Sequence, residues 1–142
     1  MEDLRKAASS VIRQVASYES KIGISFPWDA FDPSSAASAV GEAVRLSPIK
    51  DLRFKSDQKE ATPIKEIELI GLDIKSTELA ISEINPICEG VKFARELVSA
   101  PPNVLTPHQM AKEAEKLANN YDLDLKILDK KECEDLGMGA YL

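Results

Sequence analysis

Ala100-Pro101-Pro102-Asn103-Val104-Leu105-Thr106-Pro107-His108-Gln109 stops one helix and starts another. Two consecutive prolines donate no backbone hydrogen bond and force an extended path, so a helix arriving from the N-terminal side must end here. A new one must then begin. Thr106 offers an N-cap hydroxyl, Pro107 fills the first helical position where its missing amide costs nothing, and Gln109 stands three residues after the cap, as in a capping box. The spacing predicts a helix over 107–120.

On the C-terminal side, Leu123, Leu125 and Ile127 alternate with Asp124 and Lys126, which predicts a half-buried strand over 123–128. Asp129-Lys130-Lys131-Glu132 then caps a short helix that Gly137 ends. A strand followed by a helix normally returns to a neighbouring parallel strand, because a lone strand cannot satisfy its own hydrogen bonds. Ala140-Tyr141-Leu142 therefore reads as the start of the returning strand, and the sequence as a segment of something longer. A short terminal edge strand is the alternative.

On the N-terminal side, Ile87, Val91, Ala94, Leu97 and Val98 give the apolar stripe of a helix that can open at Pro86 after Asn85 and stop at Pro101; whether helix precedes Pro86 is left open by the pattern. Ile64, Ile67, Leu69, Ile70 and Leu72, bounded by Pro63 and Gly71, predict a strand. The charged run from Lys50 to Glu60 has neither helical nor strand period and reads as a surface connection. Ala36, Val40, Ala43 and Val44 predict a helix ending at about Leu46 before Ser47-Pro48, with a serine as its N-cap. Ile22, Ile24 and Phe26 alternate like a strand, and Leu4, Ala7, Ala8, Val11, Ile12 and Val15 predict an amphipathic helix over 3–18.

The alternation of helices and strands makes this an α/β chain. Three regions are expected: 1–76 as part of an N-terminal α/β domain, 77–103 as a connecting helix with its Pro-Pro break, and 104–142 as the first strand-helix unit of a further α/β domain. The 142 residues are long enough to bury a core. A net charge of −6 repels polyanions over most of the surface. No stretch approaches the roughly 20 consecutive apolar residues of a membrane helix, and Met1-Glu2-Asp3-Leu4-Arg5-Lys6 leads into no apolar signal core. Cys88 and Cys133 stand far apart, in no metal-finger spacing, and are expected as reduced thiols.

Candidate chemistry is sparse. His108, the sole histidine, follows a proline at a helix start and reads as a solvated first-turn residue, which rules out an H-E-x-x-H zinc motif or a histidine-based triad elsewhere. Gly137-Met138-Gly139 only opens a dinucleotide fingerprint, and a helix stop explains it better. Glu113 with Glu115, Glu132 with Glu134, and Asp122 with Asp124 lie among lysines and read as surface ion pairs. Lys50, Arg53, Lys55 and Lys59 suggest a phosphate or RNA patch, which Asp51, Asp57 and Glu60 dilute. Met110 and Met138 read as core packing.

The run from Cys88 to Pro107, Cys88-Glu89-Gly90-Val91-Lys92-Phe93-Ala94-Arg95-Glu96-Leu97-Val98-Ser99-Ala100-Pro101-Pro102-Asn103-Val104-Leu105-Thr106-Pro107, resembles the linker region of the leucyl (cytosol) aminopeptidase family. Cys133-Glu134-Asp135-Leu136-Gly137-Met138-Gly139-Ala140-Tyr141-Leu142 is similar to that family's entry into its catalytic domain. Gly41 to Pro48 and Arg53 to Ser56 resemble it too, in a form associated with cyanobacterial and plastid branches. The resemblance implies an N-terminal α/β domain, a connecting helix, and a catalytic domain in which carboxylates and a lysine hold two divalent metals, zinc or manganese. It also implies peptide substrates, a hexamer, and a cytoplasmic or plastid-stromal location. The family's ligand motifs, such as N-T-D-A-E-G-R-L, match no position here. No catalytic, cofactor-binding or metal residue is therefore expected in this chain, Lys92, Arg95 and Asn103 match only the linker, and the segment alone is expected to be inactive. Two rival readings are a stand-alone interaction module, binding full-length subunits through its helix, and a weak nucleic-acid-binding domain.

Overall fold

The computed structural model describes residues 1–15, 21–49, 51–54, 56 and 64–141. Two compact units result, Met1–Ser99 and Ala100–Leu142. In the first, α1 (Glu2–Val15) precedes β1 (Lys21–Ile24), and after a 3-10 turn at Trp28–Ala30 come α2 (Pro33–Leu46), β2 (Glu66–Leu69) and the long α3 (Ile74–Ser99). In the second, α4 (Pro107–Tyr121) and α5 (Lys130–Asp135) are followed by a 3-10 turn at Gly139–Tyr141.

The strands β1 and β2 pair in parallel, Lys21 opposite Glu66 and Ile24 opposite Leu69, with α2 as the crossover between them. Parallel register needs such a crossover, since a tight turn can join only antiparallel neighbours. Outside the sheet Lys21 Nζ reaches Glu66 at 2.9 Å and Glu68 at 2.8 Å. Those two hydrogen bonds, Glu68's first, push the Lys21 pKa up to about 12. Beyond β2, Ile70 donates its amide to the Ile24 carbonyl at 2.8 Å and accepts the Trp28 indole N–H at 2.6 Å. Gly71, at φ +92°, makes the turn that follows; a Cβ there would sit 3.1 Å from the Trp28 ring, so both the backbone angle and the contact favour glycine.

The core lies on both sides of α2. Leu4, Ala8 and Ile12 of α1 meet Ala36, Ala39, Val40 and Ala43 of α2, with Ile24 beneath and Ile22, Phe26, Ile67 and Leu69 packed alongside. Ala37 and Gly41 are also buried in α2, and α3 packs against this helix with Ala80, Ile84 and Cys88 buried. Small residues on both faces let two helices approach α2 closely. The expected serine N-cap is corrected to Asp32, whose carboxylate accepts from the Ser35 amide at 2.9 Å; a charged oxygen is the stronger acceptor for an orphan amide. That hydrogen bond holds the Asp32 carboxyl below its ordinary range.

The helix expected from Pro86 begins twelve residues earlier, at Ile74, with Pro86 in its interior. An interior proline costs about 3 kcal/mol, and burying each large aliphatic side chain returns about 1.5–3 kcal/mol. Burial of Ile84, with Ala80 and Cys88 beside it and Ile81 half-buried, offsets that cost. The expected stripe is corrected with it: Ile87 is 57% and Val98 88% exposed. The four-residue steps from Ala80 to Cys88 turn a different face toward α2. Residues 16–18 of the expected first helix lie outside the described residues, as do Lys50, Lys55 and 57–60 of the charged run.

In the second unit Thr106 caps α4, its hydroxyl accepting from the Gln109 amide at 3.2 Å. The capping box does not close, because the Gln109 side chain donates forward to Glu113 at 2.8 Å. The box at Asp129 and Glu132 does close, with both hydrogen bonds at 2.8 Å, and Gly137 at φ +67° ends α5. The expected strand over 123–128 is absent; these residues join no ladder among the described residues, and Leu123, Leu125 and Ile127 are 59%, 44% and 43% exposed. Alternation alone cannot make a strand without a neighbour to take its hydrogen bonds. Ala140 and Tyr141 likewise form a 3-10 turn and no returning strand.

Candidate functional site

Two concavities lie in the first unit. One, of about 280 Å³, is floored by Val44, Ile67, Leu69, Leu72 and Ile81, with Arg45 and Glu78 as its charged lining residues. The other, of about 640 Å³, lies between the residues after α2 and the last turns of α3, lined by Pro48, Ile49, Arg53, Lys92, Arg95 and Glu96 among others. Its arginines are engaged in structure. Arg53 clasps Asp51 through Nε and Nη2 at 2.9 and 2.7 Å and donates to the Glu96 carbonyl at 2.7 Å. Arg95 donates to the Leu46 carbonyl at 2.9 Å, satisfying one of the carbonyls a helix end leaves without a partner. The Asp51 hydrogen bond pushes the Arg53 pKa up.

The residues singled out from sequence are not brought together. His108 is exposed in the first turn of α4. Cys88 is buried and Cys133 half-buried, both free thiols; burial, and behind it Glu42, pushes the Cys88 thiol up. Glu113 bonds Lys116 at 2.7 Å as well as Gln109, and these, Lys116 first, hold its carboxyl below the ordinary range. Asp122 sits at φ 52° as the C-cap of α4, and Glu134 stands 3.9 Å from Lys130. Met110 is 44% exposed, which corrects its reading as core, while Met138 is half-buried. Lys92 and Asn103 are exposed.

Among the described residues no three His, Cys, Asp or Glu side chains gather closely enough to hold a metal ion. Two-metal hydrolysis needs several anionic ligands converging on one point. The carboxylates described above are spent on caps and basic side chains instead, so these donors do not fit a two-metal centre. The arginine ties were not visible in the sequence, because they join residues 43 and 49 positions apart.

Comparison with known proteins supplies what the donors do not. Residues 92–142 match the family model described as the cytosol aminopeptidase family, catalytic domain. Probable cytosol aminopeptidases from two Prochlorococcus marinus strains are each 50% identical over 100% of this chain, which covers 28% and 29% of their length. One from a Synechococcus species is 37% identical, again over 100% of this chain and 29% of its own. A solved structure of a tomato leucine aminopeptidase mutant superposes with a TM-score of 0.89 at 30% identity, covering 99% of this chain and 29% of that one. The chain thus spans under a third of the length of each of these relatives.

Proposed function

We infer that this chain, a member of the cytosol aminopeptidase family, belongs to a metal-dependent enzyme that removes N-terminal amino acids from peptides. The carrying observation is similarity without a break: 50% identity extends over 100% of the chain. Its own residues supply scaffold. In this reading 1–76 form part of the N-terminal α/β domain, 77–103 the connecting helix, and 104–142 the opening of the catalytic domain. The two metals, zinc or manganese, would be held by residues that the longer relatives carry outside the matched part. Hexamer formation and a cytoplasmic or plastid-stromal location belong to the same reading.

The chemistry explains the division of labour. Two divalent metals would supply Lewis-acid and water-activating chemistry, which requires ligands fixed by a rigid surround, and that surround must be built before the ligands can be aimed. A test compares the 142-residue polypeptide with the same sequence joined to the remaining length of a Prochlorococcus relative. Both are loaded with manganese or zinc and assayed for leucine release from leucinamide, with and without a chelator. Chelator-sensitive turnover is expected only from the joined protein. Turnover by residues 1–142 alone would overturn the scaffold assignment, and inactivity of a folded joined protein would overturn the enzymatic one.

A further inference from the structure

We propose that the middle of α3, from Pro86 to Gly90, is a built-in hinge, and that Arg53 and Arg95 latch the half of the helix beyond it to the end of α2 and the segment that follows.

Four observations meet at this place. Burial along α3 stops at Cys88: Ala80, Ile84 and Cys88 are the buried residues of the helix, while Val91, Phe93 and Leu97 are only half-buried and Val98 is 88% exposed. Pro86 lies inside the helix and has no amide, so the hydrogen bond that would cross this turn is missing. One turn on, Gly90 adds no side chain, and a Cβ placed there would meet nothing within 4 Å; glycine inside a helix leaves the backbone its greatest freedom. Beyond these residues a groove of about 640 Å³, lined also by Pro48, Ile49 and Leu52, lies between the last turns of α3 and the residues after α2, and no residue of this half of the helix is fully buried.

Polar ties cross the groove among the described residues. Arg53 donates to the Glu96 carbonyl at 2.7 Å while Asp51 fixes its guanidinium, and Arg95 reaches back to the Leu46 carbonyl at 2.9 Å. Arg45 and Glu89 add an ion pair at 4.0 Å beside the hinge. Arg95 joins the far part of α3 to the last residue of α2, and Arg53 joins it to the segment after α2, which is the arrangement of a latch. Sharp bends in helices occur at proline and at small residues, where the hydrogen-bond ladder is interrupted. The near half, Ile74 to Cys88, is held by its core stripe and does not need the latch.

Peptide-resolved hydrogen exchange on the whole 142-residue chain separates this from simple fraying. With Arg53→Ala and Arg95→Ala combined, amides from Gly90 to Ser99 should exchange together, on the order of tenfold faster than in the parent, while those from Ala80 to Ile84 keep their protection. Arg95→Lys, which keeps the charge and one donor, should show a smaller increase. Gly90→Ala in the double variant should recover part of the protection by stiffening the hinge, a recovery that fraying from Ser99 would not show. Far-UV circular dichroism and retained protection over Ala80 to Ile84 verify that each variant is folded. Unchanged exchange in the double variant, acceleration confined to the last turn, or no recovery from Gly90→Ala would each overturn the proposal. Should the double variant unfold, Arg95→Lys in the parent decides: faster exchange over Gly90 to Ser99 with Ala80 to Ile84 unchanged supports the latched hinge, and unchanged exchange overturns it.

Discussion

Cys88 shows how far one residue's chemistry is set by its neighbours. Its side chain faces α2 from the buried stripe of α3 and is 3% exposed, and burial raises the thiol above its ordinary range because desolvation disfavours the thiolate. The folded chain therefore binds this proton more tightly than the unfolded chain does. The stability that follows is present in full below the unfolded thiol's range and is lost as pH climbs through the raised folded value. Under native conditions a maleimide should modify half-buried Cys133 directly and Cys88 only through opening of the α2–α3 interface. Cys88→Ala should remove part of the loss of stability above the ordinary thiol range, followed by urea melts across alkaline pH. Equal labelling rates for the two thiols would contradict this burial. Sequence placed both cysteines as free thiols, but nothing in their spacing told which one packs inside.

At the scale of elements, α2 is the part on which the first unit depends, and Gly41 is its tightest point. A Cβ there would lie 2.5 Å from Ile84 Cδ1 and 2.6 Å from Ile81 Cδ1, too close unless those two side-chain ends shift. Alanine at this position sets that crowding against a gain of about 1 kcal/mol in helix propensity. A branched side chain has no such compensation, so Gly41→Val should cost about 2 kcal/mol by overpacking, read as a lower urea midpoint at unchanged slope. An unaltered midpoint would mean that the two helices stand further apart. The helices were legible because their apolar periods and caps are local: α2 ends at Leu46, and α4 begins at Pro107 after Thr106. The start of α3 was not, because Pro86 is a strong local signal whose cost is met by contacts with residues more than forty positions away.

For the whole molecule, the two units differ in what protects them. The described residues that reach full burial all lie in Met1–Ser99, and Ala100–Leu142 contains none. Elements with little buried apolar surface open at low free energy. Brief proteolysis should therefore cut first within 100–106 and 123–129, leaving a product that retains α1 and α2. In urea, the Trp28 fluorescence, anchored by its indole bond to Ile70, should persist to higher denaturant than the far-UV helical signal as a whole. Coincident curves, or a first cut inside α2, would show that the units share one cooperative core.

The sequence by itself determined the order of the elements from α1 to β2, the caps at Thr106 and Asp129, the break at Pro101 and Pro102, and the resemblance to the cytosol aminopeptidase family. Each of these rests on neighbours along the chain or on runs of residues kept in order. The tertiary structure alone decided that α3 runs through Pro86, that its buried face is Ala80, Ile84 and Cys88, and that Leu123, Leu125 and Ile127 join no sheet among the described residues. It also decided that Arg95 ties the last turns of α3 to the end of α2 and that Arg53 ties them to the segment after it. The physical reason is the same throughout: a helix's buried face and a strand's hydrogen bonds depend on partners distant in sequence, and no local pattern contains them.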